Sequence, residues 1–354
     1  MAGKFERKRS WFARHKILVA VILIFLLLIV TVVGYVWSKL NLIQYADEIR
    51  NPGEMLYPGE NTPEEETYGT EGEEDNLVDI SGLAQSETEP LIPQTEIEKN
   101  KNVINILLIG TDERSTKFSD NARSDSMILV SINKENKTVK LVSLERGMGV
   151  PIMAGEYEGQ WDWLTHIFRY GGADLLVDTV EYCFKVEVDH YVRVNFTSVR
   201  EGIDAIGGIE MELTRNEAGA LNWDTDWNLQ AGMNHLTGQQ ALSFARLRAI
   251  DSDWQRVQRQ RKVIVAAVNA LKGSSLKELN DLLDQVLPLI QTNMTMLEIA
   301  DLMLYSPNFL NSTFDQMTIP KEGTYGGMTG LWDKPLFAVD FETNSQILKE
   351  FLYG

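Results

Sequence analysis

Short apolar runs separated by polar turns dominate the second part of the chain. Three of these runs are typical of buried strands and occupy residues 103–109, 127–132 and 139–143. The polar, turn-rich residues 133–137 connect the last two, so we expect these strands to form a hairpin. Four further strands are predicted at residues 190–195, 209–213, 314–319 and 336–339.

Between the strands, apolar residues recur at helical spacing. The predicted helices occupy residues 171–185, 196–206, 237–247, 252–271, 275–290, 296–305 and 344–352. Because strands and helices are intermixed, we expect an α/β fold: an α-β-α sandwich with a central mixed β-sheet, formed by residues 102–354.

The N-terminal part of the chain has a different pattern. Residues 17–37 carry no charged side chain, and about 20 apolar residues are enough to cross a bilayer as a helix. Residues 1–16 are strongly basic, which predicts that this tail stays in the cytoplasm and that the chain after residue 37 lies outside the cell membrane. The alternative is a cleaved secretory signal, which would also export the domain.

Residues 38–101 are rich in proline, glycine and acidic side chains. This composition buries too little apolar surface to fold, so it predicts a disordered acidic linker outside the cell. Much of the net charge of -18 comes from this stretch, and such an acidic chain is not expected to bind nucleic acid. The single cysteine, Cys183, excludes an internal disulfide and lies among apolar residues, so we expect it to be buried.

Two aspartates flank neighbouring predicted strands. Asp112 follows the first strand, and Asp125 precedes the second. Adjacent strands would bring both carboxylates to one edge of the sheet, where two oxygen ligands suit Mg²⁺ completed by water and phosphate. The alternative is that the aspartates only cap turns.

A second group of polar residues is rich in arginine. Arg246 and Arg248 end one predicted helix, whereas Arg256, Arg259 and Gln260 share a face at the start of the next. Arg146, at the end of the third strand, could complete the group. Converging guanidinium groups are typical of a phosphate site. The alternative is a solvated surface with ion pairs to Asp251 and Asp253.

Other common catalytic patterns are absent from the sequence. It contains no P-loop, and its histidines lack metalloprotease spacing. Trp161 and Trp163 flank Asp162 on a predicted loop, where they could stack on a sugar or an isoprenoid chain, or fill the core instead.

Several stretches, taken in order, resemble the LytR-CpsA-Psr family of bacterial cell-envelope proteins. The matching residues are 105–112, 123–127, 142–146, 164–166 with 170–172, 204–208, 236–260 and 346–353. The resemblance covers roughly residues 102–354. It also extends to the membrane topology, with the N-terminus in the cytoplasm and the domain outside.

The resemblance implies a phosphotransferase with an α/β sandwich fold. Members transfer a glycopolymer, such as teichoic acid or capsule, from a polyprenyl pyrophosphate carrier to peptidoglycan, and a pocket takes the lipid tail. By position, Asp112 and Asp125 would hold Mg²⁺, and Asp112 would act in catalysis with the arginines. The pyrophosphate would be bound by Arg146, Arg248 and Arg256, with Arg246, Arg259 and Gln260 beside them.

Two positions depart from the family pattern. Gly147 stands where an aspartate usually follows the arginine, and Trp163 stands where a basic residue is common. Either another acid, Asp112 or Glu145, takes the role of the missing carboxylate, or the activity is altered. A glycan pyrophosphatase that uses water as the acceptor, and a non-catalytic scaffold that binds lipid-linked glycans, therefore stay open as alternatives. The sequence leaves the oligomeric state undetermined.

Overall fold

The computed structural model of the protein describes residues 42, 80–87, 89–113, 118, 122–248, 250, 252–310, 312 and 314–354. The chain divides into two units, residues 1–43 and residues 44–354, and only Leu42 of the first unit is described. The predicted cytoplasmic tail 1–16, the predicted membrane helix 17–37 and most of the predicted linker lie outside the described residues. Within the described part of the chain, no helix combines the length and hydrophobicity needed to cross a membrane.

Strands and helices are intermixed along the domain. The strands are β1 (Val103–Thr111), β2 (Ser124–Asn133), β3 (Thr138–Leu144), β4 (Gly149–Pro151), β5 (Trp161–Trp163), β6 (His190–Val194), β7 (Ile209–Leu213), β8 (Gly232–Leu236), β9 (Gln291–Thr292), β10 (Phe314–Ile319), β11 (Tyr325–Thr329) and β12 (Pro335–Val339). The helices are α1 (Leu164–Phe184), α2 (Phe196–Ala205), α3 (Arg215–Asn222), α4 (Gly238–Arg246), α5 (Asp253–Ala270), α6 (Leu276–Val286), α7 (Met296–Leu310) and α8 (Phe341–Tyr353).

Six strands form the central sheet in the order β10-β3-β2-β1-β6-β9. β2 runs antiparallel to both β1 and β3, whereas β6 is parallel to β1 and β10 is parallel to β3. The sheet is therefore mixed, and the predicted hairpin of β2 and β3 is confirmed. The pairs β4-β5, β7-β8 and β11-β12 form small sheets of their own.

Helices cover both faces of the central sheet. The apolar side chains of β1, which point alternately to the two faces, show why both faces are covered. Leu107 and Ile109 join a core that also contains apolar residues of α1 and α8. Ile106 and Leu108 point to the other face, where apolar residues of α7 and α5 pack. Since successive side chains of a strand lie on opposite faces, one apolar run supplies both cores. The α-β-α layering predicted from the sequence is confirmed.

Helix α1 begins seven residues earlier than predicted. The sequence places the start at Gly171, but the helix runs from Leu164 and is kinked at Gly171 and Gly172. Gly172 has φ +69°, a conformation that favours glycine, and a Cβ at Gly171 would lie 2.6 Å from that of Leu175. The glycine pair therefore bends a helix that continues on both sides.

The predicted loop around Trp161 and Trp163 is wrong. Both residues lie in β5, which pairs with β4, and they are only 8% and 2% exposed. The indole nitrogen of Trp163 donates to the carbonyl of Pro335 at 2.7 Å. Both indoles thus fill the core, and neither is available to stack on a sugar. Cys183 is buried as a free thiol, as predicted.

The last part of the predicted linker is attached to the domain. Ile80, Leu83 and Ile92 pack against the larger core, and Ser86 donates its backbone N–H to Gly327 at 2.8 Å. Farther along, Glu98 donates to the carbonyl of Lys185 at 2.9 Å. The part of the chain that packs on the domain therefore includes residues before 102, because a few apolar side chains within the acidic stretch reach the core.

Candidate active site

The antiparallel register of β1 and β2 brings the two predicted aspartates to one edge of the sheet. Gly110 pairs with Ser126, and Thr111 pairs with Ser124 across a β-bulge. Asp112 follows Thr111, and Asp125 lies between the two serines. The local pairing of two neighbouring strands thus suffices to place both carboxylates at this edge.

Asp112 is bound to Arg123. Its Oδ2 accepts from Nε of Arg123 at 3.0 Å, and its Oδ1 accepts from the backbone N–H of the same residue, also at 3.0 Å. The Asp112 side chain is 24% exposed. It does not line the cavity described below.

Asp125 lies among three arginines from two distant parts of the chain. Its Oδ1 accepts from Nη1 of Arg146 at 2.8 Å, and Nη2 of Arg248 lies 3.8 Å from its Oδ2. Nη2 of Arg256 approaches its carbonyl oxygen at 3.4 Å. Burial would raise the pKa of Asp125, but these guanidinium groups outweigh that effect and lower it to about 2. Asp125 is therefore ionised at neutral pH.

Asp253, at the start of α5, binds two of the same arginines. Its Oδ2 accepts from Nη2 of Arg256 at 2.9 Å and from Nε of Arg146 at 3.3 Å. Burial tends to raise the pKa of Asp253, but Arg256 and Arg146 shift it below its ordinary value. The sequence alone suggests Asp253 only as an ion-pair partner on a solvated surface. Its spacing of three residues from Arg256 on one helix is the signal that could have identified it.

We call Arg146, Arg248 and Arg256, together with Asp125 and Asp253, the anion site. Arg256 is 2% exposed, and its Nε is buried with no hydrogen-bond partner among the described residues. Burial, together with the charge of Arg146, lowers the pKa of Arg256 to about 10, which still leaves the group charged at neutral pH. The anion site thus contains a cation whose hydrogen-bonding capacity is only partly used.

An apolar cavity of about 260 Å³ opens next to the anion site. Its walls are aliphatic and aromatic side chains from the sheet and from α2, α4 and α5, namely Leu108, Ile128, Val194, Phe196, Val199, Leu242, Ala245, Val263 and Ile264. Its polar lining includes Asp125, Arg246, Arg248, Arg256 and Gln260. Arg146 does not line the cavity and lies behind Asp125.

The close packing of α2 and α4 shapes one wall of this cavity. A Cβ added at Gly238 would lie 1.9 Å from the carbonyl oxygen of Arg200, so only glycine allows this approach. The N–H of Gly238 donates to Asp204 at 2.7 Å, and Thr237 caps the helix. The Leu236-Thr237-Gly238 stretch therefore fixes α4, which carries Leu242 and Arg246 to the cavity.

The remaining predicted site residues differ in position. Arg246 stacks its guanidinium 4.2 Å above the ring of Phe196, and Gln260 accepts from the hydroxyl of Ser126 at 3.0 Å. Both line the cavity. Arg259 does not: it donates to the carbonyl of Leu247 and lies 3.9 Å from Glu217. The structure thus brings Arg246 and Gln260 to the predicted site and directs Arg259 towards α3.

Asp112 and Asp125 are suited to a metal site in which the protein supplies only two carboxylate ligands. In the described residues, no group of three His, Cys, Asp or Glu side chains could hold a metal ion. Two partly exposed carboxylates at one edge suit a hard cation that takes its other ligands from water and phosphate, as Mg²⁺ does. The surrounding guanidinium groups would disfavour such an ion unless an anion is bound with it.

Comparison with known proteins gives a consistent result. A sequence profile of the LytR-CpsA-Psr family matches residues 71–344. A polyisoprenyl-teichoic acid–peptidoglycan teichoic acid transferase, TagU, of Bacillus mycoides is 32% identical over 250 residues, which cover 68% of this chain and 76% of that protein. The TagU of Oceanobacillus iheyensis is 35% identical over 246 residues, covering 67% of this chain and 72% of its own length.

Solved structures are similar over most of the domain. The structure of TagT bound to LIIa-WTA is 26% identical with a TM-score of 0.57, and the match covers 75% of this chain and 95% of that one. The crystal structure of B. subtilis TagV is 26% identical with a TM-score of 0.57, covering 72% of this chain and 98% of that one. The chain therefore belongs to the LytR-CpsA-Psr family.

Proposed function

We propose that the protein is a phosphotransferase that moves a glycopolymer from a polyprenyl pyrophosphate carrier to peptidoglycan. The observation that carries this proposal is an apolar cavity that opens onto the anion site. A polyprenyl pyrophosphate matches this arrangement, because its apolar chain would occupy the cavity and its pyrophosphate would lie at the anion site. The TagU relatives are named for a polyisoprenyl-linked donor and a peptidoglycan acceptor, which supports the same reading.

The cavity provides the apolar half of the donor site. Leu242 and Val263 are buried, and Val199 is half-buried against the same helices. Each methylene group that an isoprenoid chain buries there contributes about 0.8 kcal/mol. The chain would therefore hold the donor with its pyrophosphate at the end of the cavity where Arg248 and Arg256 lie.

The anion site provides the polar half. Guanidinium groups bind phosphate oxygens in a bidentate manner, and Arg256 has a buried Nε that such an oxygen would satisfy. Arg248 is 37% exposed and can meet the second phosphate from the solvent side. Arg146 acts through Asp125 and Asp253, which it holds on either side of its guanidinium group.

The reaction is an in-line displacement at phosphorus. A peptidoglycan hydroxyl oxygen forms a bond to the phosphorus nearer the polymer, and the bond from that phosphorus to the bridging oxygen breaks. Polyprenyl phosphate leaves with the bonding electron pair, and the hydroxyl proton passes to a base or to solvent. Positioned cations accelerate such transfers by stabilising the charge on the phosphate oxygens, which is the role of Arg248 and Arg256.

Mg²⁺ is part of the proposal. Asp112 and Asp125 would hold it, and the ion would neutralise phosphate oxygens when bound. Arg123 lies beside both carboxylates, since it binds Asp112 and helps to lower the pKa of Asp125. Its charge also favours the donor anion at this edge.

The proposal also places the enzyme outside the cell. The uncharged segment 17–37 would anchor it in the membrane, and the basic tail 1–16 would remain in the cytoplasm. This arrangement would give the domain access to a lipid-linked donor on the outer side and to peptidoglycan beyond it.

The test is transfer of a polyprenyl-pyrophosphate-linked glycopolymer to purified peptidoglycan by the full chain. Arg248→Ala and Arg256→Ala should each lower the transfer rate by at least about 100-fold, because each removes a cation that stabilises the transition state. Arg215→Ala, which removes an exposed arginine at the start of α3, is the matched control and should not change the rate. A chelator should suppress transfer, and added Mg²⁺ should restore it.

The products decide between this proposal and its alternatives. Polymer attached to peptidoglycan supports the transferase. Free polymer phosphate released at the same rate with and without peptidoglycan would instead establish a pyrophosphatase. Donor binding without any turnover would establish a scaffold, and unchanged transfer by Arg256→Ala would refute the role of the anion site.

A further inference from the structure

Glu145 is a buried acid that the reaction described above does not use. It follows the last residue of β3, and its backbone N–H donates to the carbonyl of Ile319 in β10 at 2.9 Å. Its side chain is almost fully buried, with the residue 1% exposed. The acid is thus fixed at the end of the sheet, directly before Arg146 in the chain.

The Glu145 side chain lies against the anion site. It shares a hydrogen bond with the carboxyl group of Asp253, whose Oδ2 already accepts from Arg146 and Arg256. Oε2 of Glu145 is buried without a hydrogen-bond partner among the described residues. A buried carboxyl group therefore meets the partly exposed one of Asp253, and a hydrogen bond between them requires that one of them holds a proton.

The surroundings decide which carboxyl group holds it. Asp253 binds two guanidinium groups, which favours its ionised form. The surroundings of Glu145 favour ionisation less, so Glu145 is the carboxyl group that keeps the proton. Burial and the charge of Asp253 raise the pKa of Glu145 to about 8, although Arg256 and Arg146 oppose this. The other titratable group facing Glu145 is Tyr325 of β11, whose own pKa is raised mainly by burial.

We infer that Glu145 is a positioning residue that works as a neutral acid: it donates a hydrogen bond to Asp253 and holds that carboxylate between Arg146 and Arg256. This inference rests on the proposed function in one respect, namely that the anion bound at the site is a pyrophosphate. A neutral Glu145 orients Asp253 without adding a negative charge. The three arginines and two aspartates of the anion site then keep one net positive charge, which an ionised Glu145 would cancel.

The inference can be tested with Glu145→Gln, which keeps the shape and a hydrogen-bond donor but cannot ionise. Binding of farnesyl pyrophosphate to the full chain would be measured by calorimetry from pH 6 to pH 9. Comparison with wild type at each pH removes the ligand's own titration. Glu158→Gln, at an exposed glutamate in the loop between β4 and β5, is the matched control.

Wild type and Glu145→Gln should bind equally at pH 6. At pH 9, one unit above the Glu145 pKa of about 8, the variant should bind about tenfold more tightly, because only about a tenth of wild type keeps the proton. A Glu145→Ala variant, which removes the donor to Asp253, should bind more weakly than Glu145→Gln at every pH. Equal affinities of wild type and Glu145→Gln across the whole range would overturn the inference.

A second measurement separates this inference from the proposed function. The native pKa of Glu145 lies above its ordinary value of 4.5, so wild type should lose stability relative to Glu145→Gln as the pH rises from 4.5 to about 8. The difference in urea midpoint should therefore grow over that range and stay constant above it. A difference independent of pH would refute a neutral Glu145. Failure of both proteins to bind the pyrophosphate would instead refute the proposed function, while the unfolding result would still decide the state of Glu145.

Discussion

Asp125 holds the anion site together when no ligand is bound, and Asp125→Asn tests how strongly. The carboxylate binds Arg146 at 2.8 Å and lies 3.8 Å from Arg248. Asparagine has nearly the same size but no charge. The substitution therefore leaves the packing intact and removes the negative charge that offsets three nearby guanidinium groups.

The size of the effect follows from the pKa of Asp125. Its ordinary value is 3.8, and the folded protein lowers it to about 2. At about 1.4 kcal/mol for each unit, the ionised side chain stabilises the fold by about 2 kcal/mol. The Asp125 side chain is only 22% exposed, so solvent screening reduces this little. Because the folded pKa is lowered, the stabilisation is complete above the ordinary pKa and is lost as the pH falls through 2.

Urea unfolding of the full chain, followed by tryptophan fluorescence, measures this energy. Asp125→Asn should lower the free energy of unfolding by about 2 kcal/mol at pH 7 and by about half as much at pH 3. Asp226→Asn, at an exposed position after α3, is the control and should change it little at either pH. A loss for Asp125→Asn that is the same at pH 7 and pH 3 would show that the cause is not the charge.

Two further predictions concern the cavity and the buried ion pair of Arg193 and Glu113. Val199→Trp fills the cavity and should lower the rate of transfer from a long-chain prenyl donor on the order of tenfold, equivalent to about 1.4 kcal/mol. The rate with a short-chain donor should fall much less. Equal losses with both donors would argue against a lipid site. Arg193 is buried and binds Glu113, the residue after Asp112, at 2.5 Å. Arg193→Met should therefore lower the free energy of unfolding, measured with urea, by about 3–5 kcal/mol, because the buried Glu113 carboxylate loses its guanidinium partner. Adding Glu113→Gln should recover much of this loss. No recovery would show that the uncompensated charge of Glu113 is not the cause.

The part of the site that depends on local order could be predicted from the sequence. Asp112 and Asp125 flank strands that are neighbours both in the chain and in the sheet, so their convergence follows from one hairpin-like pairing. Gln260 lies four residues after Arg256, which is slightly more than one helical turn, and both side chains reach the cavity.

Arg259 does not reach the cavity, for a geometric reason. Three residues on an α-helix turn the side chain by about 300°, which leaves Arg259 about 60° away from Arg256, whereas Gln260 differs by only about 40°. That difference carries Arg259 past the cavity to Leu247 and Glu217. Sharing a helix face was therefore too coarse a criterion for sharing a ligand.

Features that depend on distant packing or on very short elements were missed. The strand β8 spans five residues and, within the described part of the chain, pairs with β7 alone, so its polar residues such as Asn234 and His235 resemble a loop. The approach of Glu145 to Asp253 joins the end of β3 to the start of α5, more than 100 residues later in the chain. No local periodicity encodes such a contact, because it depends on how α5 packs on the sheet.

The two departures that the resemblance implies, at Gly147 and Trp163, can be compared with the neighbouring residues in the structure. Gly147 carries no carboxyl group, but Glu145 supplies one on the other side of Arg146 and contacts Asp253. Trp163 carries no charge, but the ammonium group of Lys334 lies 5.0 Å from its ring and 3.9 Å from Asp162. The replacement at Arg146 is not equivalent electrostatically. An aspartate has an ordinary pKa of about 3.9, so one that follows Arg146 and interacts with its guanidinium group would be ionised at neutral pH. A neutral Glu145, as inferred above, would orient Asp253 and leave the anion site more positive towards a pyrophosphate.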